Sequence, residues 1–405
     1  MVMTELRAIT ASELEAFTDV AVGAFGERRD PWHDRWFHQQ VTPEMTIAAF
    51  EGGTVVGTSA AVPLTLTVPG KRCAAAGITA VGVLPTHRRR GLLRAMMDAQ
   101  LRQARAAKTA LAILWASEGS IYWRFGFGPA TRRLRLSFEG PGMALRDETV
   151  SGPLRLVGRE EALRLMPRVY ERVASTRPGL VVRDEPAWES LTADDDPHLP
   201  ANEAHHFFVV HGESLDGYAI YRIRPGWSAT GPRATAMVTE LVGEGPGPTA
   251  DLWRYLLSLD LVAKVEARQR PIDDPVLWMA RDPQAIEVLL GIGIWARLLD
   301  VPRALEGRRY QQDGELVLEV SDPFIPEVGG RFLLRVRDGI GACAASDEPP
   351  DLRLGISELS CSYLGQLCLG ALARAGRIEE VSLGAATRAD KLLGWDPPPW
   401  CLDDF

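Results

Sequence analysis

Three consecutive arginines and a glycine follow an apolar run in the stretch VGVLPTHRRRGLL, residues 81–93. A helix that opens directly after such a run presents backbone N–H groups with no intrahelical partner, together with the positive end of its dipole. That arrangement is an anion site. Gly91 removes the Cβ that would hold a bulky anion away from the backbone, and Arg88, Arg89 and Arg90 add charge able to grip phosphate in a bidentate manner. A diphosphate suits such a turn. The chain has no GxxxxGK[ST], and no GxGxxG opening a βαβ unit with an acidic residue about 20 positions later, which turns the reading from nucleoside triphosphates and dinucleotides toward coenzyme A. Pro85 is expected to splay this strand from the following one and to free backbone groups for an extended ligand. The same arginines would also serve as a solvated basic helix start.

A second group of residues lies near the N-terminus, in AFGERRDPWHDRWF. Phe25, Glu27, Trp32 and Trp36 could line a pocket for a polycation, or could belong to a solvated helix packed by two tryptophans. The C-terminus, KLLGWDPPPWCLDDF, is stiffened by prolines, carries Trp400 and Phe405 as apolar anchors, and is acidic at Asp403 and Asp404. A solvated tail usually lacks such anchors, so this one is expected to be tucked in. No Cys or His stands at zinc-ligand spacing from the adjacent His205 and His206, and no metal is expected.

The elements that must position these residues follow from periodicity. EMTIAAFEGGTVVGTSAAVPLTLTVPG reads as a hairpin around a Gly-Gly turn and GITAVGVL as a third strand. RRRGLLRAMMDAQLRQARAAK has Leu92, Leu93, Met96, Met97, Leu101 and Ala104 at the spacing of an amphipathic helix. LAILWAS is a short buried strand that completes a βαβ unit, so the sheet is partly parallel there. A weaker copy of the plan follows: helical REEALRLMPRVYERVAS, a hairpin in AHHFFVVHGESLDGYAIYRIRP, then strand, glycine turn and helix in ATAMVTELVGEGPGPTADLWRYLLSLD. Its turn has Pro246 and Pro248 in place of arginines, which implies an anion site that has been lost. Beyond about residue 296 a β-meander and the helical ISELSCSYLGQLCLGALARAG suggest a small α+β domain.

Composition bounds the function classes. A chain of 405 residues exceeds one ordinary core. Hydrophobic content of 46% and charged content of 24% are those of a globular protein. The net charge of -8 argues against nonspecific nucleic-acid binding and suits a cationic substrate, although acidity also serves solubility. No apolar run approaches the roughly 18–20 residues of a membrane span, and the opening MVMTELRAIT lacks a signal-peptide pattern. Five cysteines without CxxC spacing fit a reduced, cytoplasmic protein.

VGVLPTHRRRGLL resembles the acetyl-CoA motif of the GCN5-related N-acetyltransferases, V-x-V-x-P-x-x-[QR]-x-x-G-x-[GA]. Arg88 and Gly91 match, and Leu93 departs from the final small position. Through PTHRRRGLLRAM, ASEGSIYWRFGFGPAT, VPRALEGRRY and the acidic, aromatic terminus, the chain more narrowly resembles the enhanced intracellular survival (Eis) family of aminoglycoside acetyltransferases. The resemblance implies α/β (α+β) architecture: an active acetyltransferase domain over 1–150, a degenerate one over 151–297, and a sterol-carrier-like domain over 298–405. It also implies a homohexamer. It places acetyl-CoA contacts on Val81, Gly82 and Val83 for the pantetheine, on Arg89, Arg90, Gly91, Leu92, Leu93 and Arg94 for the diphosphate, and on Ser117 and Glu118.

Acetyl transfer to an amine needs a base for the amine and an acid for the departing thiolate. Tyr122, just past a strand, is a phenol of reference pKa about 10 and a competent acid toward a thiolate; the resemblance makes it the proton donor. The family's base is the terminal carboxylate, here that of Phe405. Burial beside its ring and the charges of Asp403 and Asp404 would raise its basicity. Phe25, Glu27, Trp36 and Asp404 are the expected substrate contacts. The expected partner is a small-molecule amine of the aminoglycoside type, with no nucleic acid and no membrane. Protein lysine as acceptor, or a non-catalytic acetyl-CoA or lipid-binding role, are the alternatives.

Overall fold

The computed structural model describes residues 4–140, 144–146, 151–194, 199, 203 and 205–405. The chain begins β1 (Thr4–Arg7), α1 (Leu14–Ala24), α2 (Pro31–Gln40), β2 (Ala48–Glu51), β3 (Thr54–Val68), β4 (Lys71–Val83), α3 (Leu92–Ala106), β5 (Leu111–Trp115), α4 (Gly119–Tyr122) and β6 (Gly128–Pro129). There follow β7 (Arg132–Glu139), β8 (Leu154–Val157), α5 (Arg159–Ala174), α6 (Glu185–Leu191), β9 (His206–His211), β10 (Gly217–Arg224), a ribbon of β11 (Trp227–Ser228) and β12 (Gly231–Pro232), and β13 (Ala234–Gly243). Next come α7 (Pro246–Leu257), β14 (Val262–Arg270), α8 (Val276–Met279) and β15 (Ile286–Ile292). The last part runs β16 (Ile294–Leu298), α9 (Val301–Glu306), β17 (Gly314–Ser321), β18 (Gly330–Arg337), β19 (Ile340–Ala345), β20 (Leu352–Gly355), α10 (Ile356–Ser362), α11 (Leu369–Arg374), β21 (Ile378–Glu380) and α12 (Ala385–Leu393).

Two units result. One holds Met1–Thr131, Ile294–Pro397 and Asp403–Phe405; the other holds Arg132–Gly293 and Pro398–Leu402. In the first, seven strands are ordered β1-β2-β3-β4-β5-β16-β6; in the second, the order is β8-β9-β10-β13-β14-β7-β15. The two orders correspond position by position, so the architecture is repeated, as the sequence pattern suggests. The expected boundaries at 150 and 297 are not followed strand by strand. β7 joins the second sheet beside β14, and β16 joins the first beside β5. The repeats have exchanged the strand that follows their own edge. Alternation and hydrophobicity show which face of a strand is buried, and leave its partner open.

Local chemistry explains the elements that carry the site. The β2–β3 hairpin turns at Gly52 and Gly53, both at positive φ. α2 starts where Asp30 accepts the Trp32 and His33 amides and Pro31 fits the first helical position. α3 buries Leu92, Met96, Met97, Leu101 and Ala104 along one stripe, with Leu92 and Met96 against Ala49 of β2 and Val56 of β3.

The C-terminal part has a five-stranded sheet, β19-β18-β17-β20-β21, and its helical stretch divides into α10 and α11. The VPRALEGRRY segment has a structural task there. Arg308 is fully buried and donates to the Tyr363 and Leu393 carbonyls, at 2.5 and 2.8 Å, where α10 and α12 end. One guanidinium thus satisfies the negative ends of two helices. Among the described residues, no helix is long and apolar enough to cross a membrane.

Candidate active site

β4 and β5 pair in parallel only at Ala75↔Leu111, Ala76↔Ala112 and Gly77↔Ile113. β4 then runs on to Val83 without a β5 partner, leaving a fork with a bare backbone edge. The opening starts well before Pro85, which corrects the expectation that the proline causes it. A bulge is responsible: β4 has two residues between Thr79 and Gly82 where β3 has one between Thr58 and Ala60, and Ala80 takes a φ of +52°. Bulges increase twist and turn a strand away from its neighbour. Pro85 instead begins a short 3-10 turn over Pro85–His87.

The arginine turn divides its labour. Arg90 and His87 both bond to the Glu51 carboxylate, at 2.6 and 2.7 Å, and these contacts, Arg90 foremost, hold that carboxyl below its usual range. Arg88 donates to the Ala24 and Val83 carbonyls at 3.2 and 3.3 Å. Two of the three arginines therefore brace the turn. Arg89, exposed and at a φ of +63°, makes no hydrogen bond or ion pair among the described residues.

Gly91 caps α3 at a φ of +83°, and a Cβ placed there would meet nothing within 4 Å. The space before the helix is open. Leu92 is buried against Met96, so only its amide is available to a ligand. Arg94 is exposed, with its guanidinium 5.0 Å from the Phe324 ring. At Gly82 a Cβ would come within 2.7 Å of the Ala24 Cβ, so α1 packs directly on β4 beside Val81 and Val83. A thioester carrier with an amide-bearing arm and a diphosphate fits this layout: a bare strand edge for the arm, and open amides with Arg89 for the anion.

Ser117 and Glu118 are exposed just past the end of β5. They and Val81–Val83 lie at the carboxyl ends of neighbouring parallel strands, where open sheets of this kind bind ligands. α4 then places Tyr122, 6% exposed, edge-on to Phe127 with ring centroids 6.1 Å apart. Its hydroxyl has no partner among the described residues. Burial, and secondarily the charge of Glu118, push its pKa up to about 12.

The terminus is tucked in, as its anchors suggest. Trp400 and Leu402 are buried. The Trp115 indole donates to the Asp403 carbonyl at 2.7 Å. A Cβ placed at Gly77 would meet Leu64 at 2.5 Å and the Phe405 ring at 3.1 Å. Gly77 is where the strand pairing ends and Trp115 closes β5, so the last three residues sit at the crotch of the fork. Asp404 is exposed.

The N-terminal candidates are less uniform. Phe25, at the end of α1, is 55% exposed. Glu27 bonds to buried His33 at 3.2 Å, and Asp30 holds the other ring nitrogen at 3.0 Å. Trp36 packs edge-on to Phe37 and belongs partly to the core. Because Ala24 touches Gly82 and accepts from Arg88, the segment carrying Phe25 begins beside the end of β4. Gly77, Trp115 and Glu51 were not singled out from sequence. A tryptophan closing an otherwise aliphatic strand was the available signal for one of them. His205 and His206 both bond to Asp194, and among the described residues no group of three or more His, Cys, Asp or Glu is placed to hold a metal.

Residues 5–130 match an acetyltransferase (GNAT) domain, residues 179–298 match a second acetyltransferase (GNAT) domain, and residues 301–402 match a sterol carrier protein domain. The forked sheet with its arginine turn is thus that of a GNAT N-acetyltransferase, whose co-substrate is acetyl-CoA. A Streptomyces avermitilis chain described as an uncharacterised N-acetyltransferase is 35% identical, with 99% of this chain and 100% of that one covered. The N-acetyltransferase Eis of Mycobacterium tuberculosis is 34% identical over 87% of each chain. The crystal structure of Eis1 from Mycobacterium abscessus matches with a TM-score of 0.87 and 30% identity, covering 100% of both chains. The chain belongs to the Eis family of N-acetyltransferases. It transfers acetyl groups to amines.

Proposed function

We propose that this enzyme acetylates polycationic small molecules such as aminoglycosides, with Tyr122 as proton donor and the Phe405 carboxylate as proton acceptor. The observation that carries the reading is the seating of the last three residues at the crotch of the β4–β5 fork, through Trp115 and Gly77. An extended thioester lying along residues 78–83 would direct its acyl end toward that crotch, where a carboxylate could take the amine's proton. Tyr122, kept protonated by burial, would give its proton to the leaving thiolate. The first-turn amides of α3 with Arg89 would take the diphosphate, with Val81, Gly82 and Val83 along the arm, Arg90 and Arg94 flanking, and Ser117 and Glu118 opposite. Phe25, Glu27, Trp36 and Asp404 would meet the amine.

The active domain would extend over about 1–150, the degenerate one over 151–297 and the sterol-carrier-like one over 298–405. The reduced thiols of Cys73, Cys343 and Cys361 support a reducing compartment such as the cytoplasm. Self-association into a homohexamer is supported by edge strand β15, where the consecutive Val288, Leu289 and Leu290 are all exposed; a bare apolar edge of this kind is usually covered. A second copy is the proposed cover.

The test is thiol release from acetyl-CoA with aminoglycosides, simple polyamines and lysine peptides as acceptors, using enzyme with a native C-terminus and enzyme extended beyond Phe405. Turnover confined to the aminoglycosides and lost on extension is expected. Turnover only with lysine peptides would reassign the substrate, and full activity of the extended enzyme would reassign the base.

A further inference from the structure

The second sheet has a fork in the corresponding place, and the chain fills it itself. β13 and β14 pair in parallel from Ala234↔Val262 to Val238↔Ala267 and then part. β13 carries an extra residue, Thr239, opposite the Ile220/Tyr221 step of β10, so a bulge turns this strand aside as one does in β4. In the first sheet the corresponding edge of β4 has no strand partner, and Arg88 reaches only the Val83 carbonyl at its end. Here Arg270, only 3% exposed, reaches across and donates to the Leu241 carbonyl at 2.6 Å while pairing with Asp274 at 2.7 Å.

The C-terminal segment closes the mouth. The Trp400 indole donates to the Gln269 carbonyl at 2.5 Å, and the Trp400 amide donates to Pro178 at 2.8 Å. The Arg270 and Arg177 guanidinium carbons lie 5.2 and 5.5 Å from the indole centroid, within the range of cation–π attraction. Trp400 and Leu402 complete a cluster with Tyr218, Ile220 and Val242. Gln269 is two residues past Ala267, the last residue of β14 paired with β13, and Trp115 is two residues past Ile113, the last residue of β5 paired with β4. Each fork therefore holds one point of the tail at the same strand position: Trp400 on Gln269, and Asp403 on Trp115.

We propose that the fork of the second repeat, no longer open to a cofactor, is a docking site for the chain's own C-terminus, and that Trp400 seated there is a positioning residue for acetyl transfer. The proposal rests on the terminal carboxylate acting as base. Residues 396–405 form no helix and pair in no sheet, so nothing regular holds them in line. Phe405 lies five positions beyond Trp400, and the fully extended reach of that stretch is only ~17 Å. Fixing the indole therefore confines the carboxylate to a small volume. This gives the degenerate repeat a task in catalysis without a ligand of its own.

The test uses the full-length enzyme and three variants: Trp400→Ala, Trp400→Phe, and a chain ending at Asp404. Two readouts are taken, steady-state thiol release and the rate at which a carboxypeptidase removes Phe405, followed by mass spectrometry. Trp400→Ala is expected to lower kcat at least tenfold, to leave the KM for acetyl-CoA within twofold, and to speed the loss of Phe405 at least tenfold. Trp400→Phe keeps a ring and loses the indole donor, so it should fall between; it also serves if the alanine variant does not fold. Wild-type kcat and trimming rate in both folded variants would overturn the proposal. If the chain ending at Asp404 is inactive while Trp400→Ala turns over normally, the positioning role alone fails. If that shortened chain turns over normally, the base assignment fails and the positioning role falls with it.

Discussion

The indole nitrogen of Trp115, at the end of β5, lies 2.7 Å from the carbonyl oxygen of Asp403, two residues before the terminal carboxylate. That bond ties a strand of the fork to the chain's last residues. Trp115→Phe keeps an aromatic ring and removes the donor. A neutral hydrogen bond contributes about 1 kcal/mol net, so kcat should fall by about fivefold with the KM for acetyl-CoA unchanged, since the diphosphate is held elsewhere. Steady-state kinetics check this; a raised KM with normal kcat would place Trp115 in cofactor binding.

Tyr122→Phe should lower kcat by about 10²–10⁴, the range for one general acid, while acetyl-CoA binding measured by calorimetry stays the same. The pH dependence carries a sign. An acid must be protonated to donate, and burial, with Glu118 secondary, raises this phenol to about 12. Its contribution is then fully present at neutral pH and is lost only as pH rises toward 12. Any alkaline decline in kcat with a midpoint near 10 would mean that the phenol is solvated.

Much of this was legible in the sequence, for identifiable reasons. Hairpin and helix follow from Gly52-Gly53 and from the apolar stripe ending at Ala104, signals that act within a few residues. Tyr122 and the arginine turn stand out by residue type. The exchange of β7 and β16 does not, because both are good strands in either sheet. Nor does the division among the arginines: Arg88 and Arg90 read alike with Arg89, and only the distant Glu51 and Ala24 show that two of the three brace the turn. The bulge at Ala80 is hidden because its φ of +52° comes from sheet register, not from a glycine or proline.

That division predicts unequal effects along the turn. Arg89→Ala should raise the KM for acetyl-CoA several-fold without changing the thermal midpoint, because the exposed side chain bonds to no group among the described residues. Gly91→Ala meets no atom within 4 Å but must hold a φ of +83°, a strain of roughly 1 kcal/mol, and it stands at the proposed diphosphate site. A tenfold or larger rise in KM with a small loss of stability is expected. Arg90→Ala should do the reverse, releasing Glu51 and lowering stability more than affinity. Equal KM effects at Arg89 and Arg90 would contradict the division.

Stability and catalysis meet again at Arg297 of the exchanged strand β16. Its guanidinium pairs with Asp322 at 2.6 Å, both side chains wholly buried, and also donates to the Phe125 carbonyl, three residues beyond Tyr122. Asp322 in turn accepts the Phe324 and Ile325 amides at 3.0 and 2.9 Å. Asp322→Ala leaves a buried cation without its counter-charge and two amides without their acceptor, a loss of about 3–5 kcal/mol. Replacing both partners with apolar residues of similar size should cost far less, because no charge is then stranded, although Phe125 then loses its Arg297 donor. Urea unfolding of the single and double variants measures the difference. Where the double variant folds, its kcat should still be reduced through the loosened Phe125 and Tyr122, with the KM for acetyl-CoA unaffected. Wild-type kcat in that variant would show that Arg297 serves the fold alone.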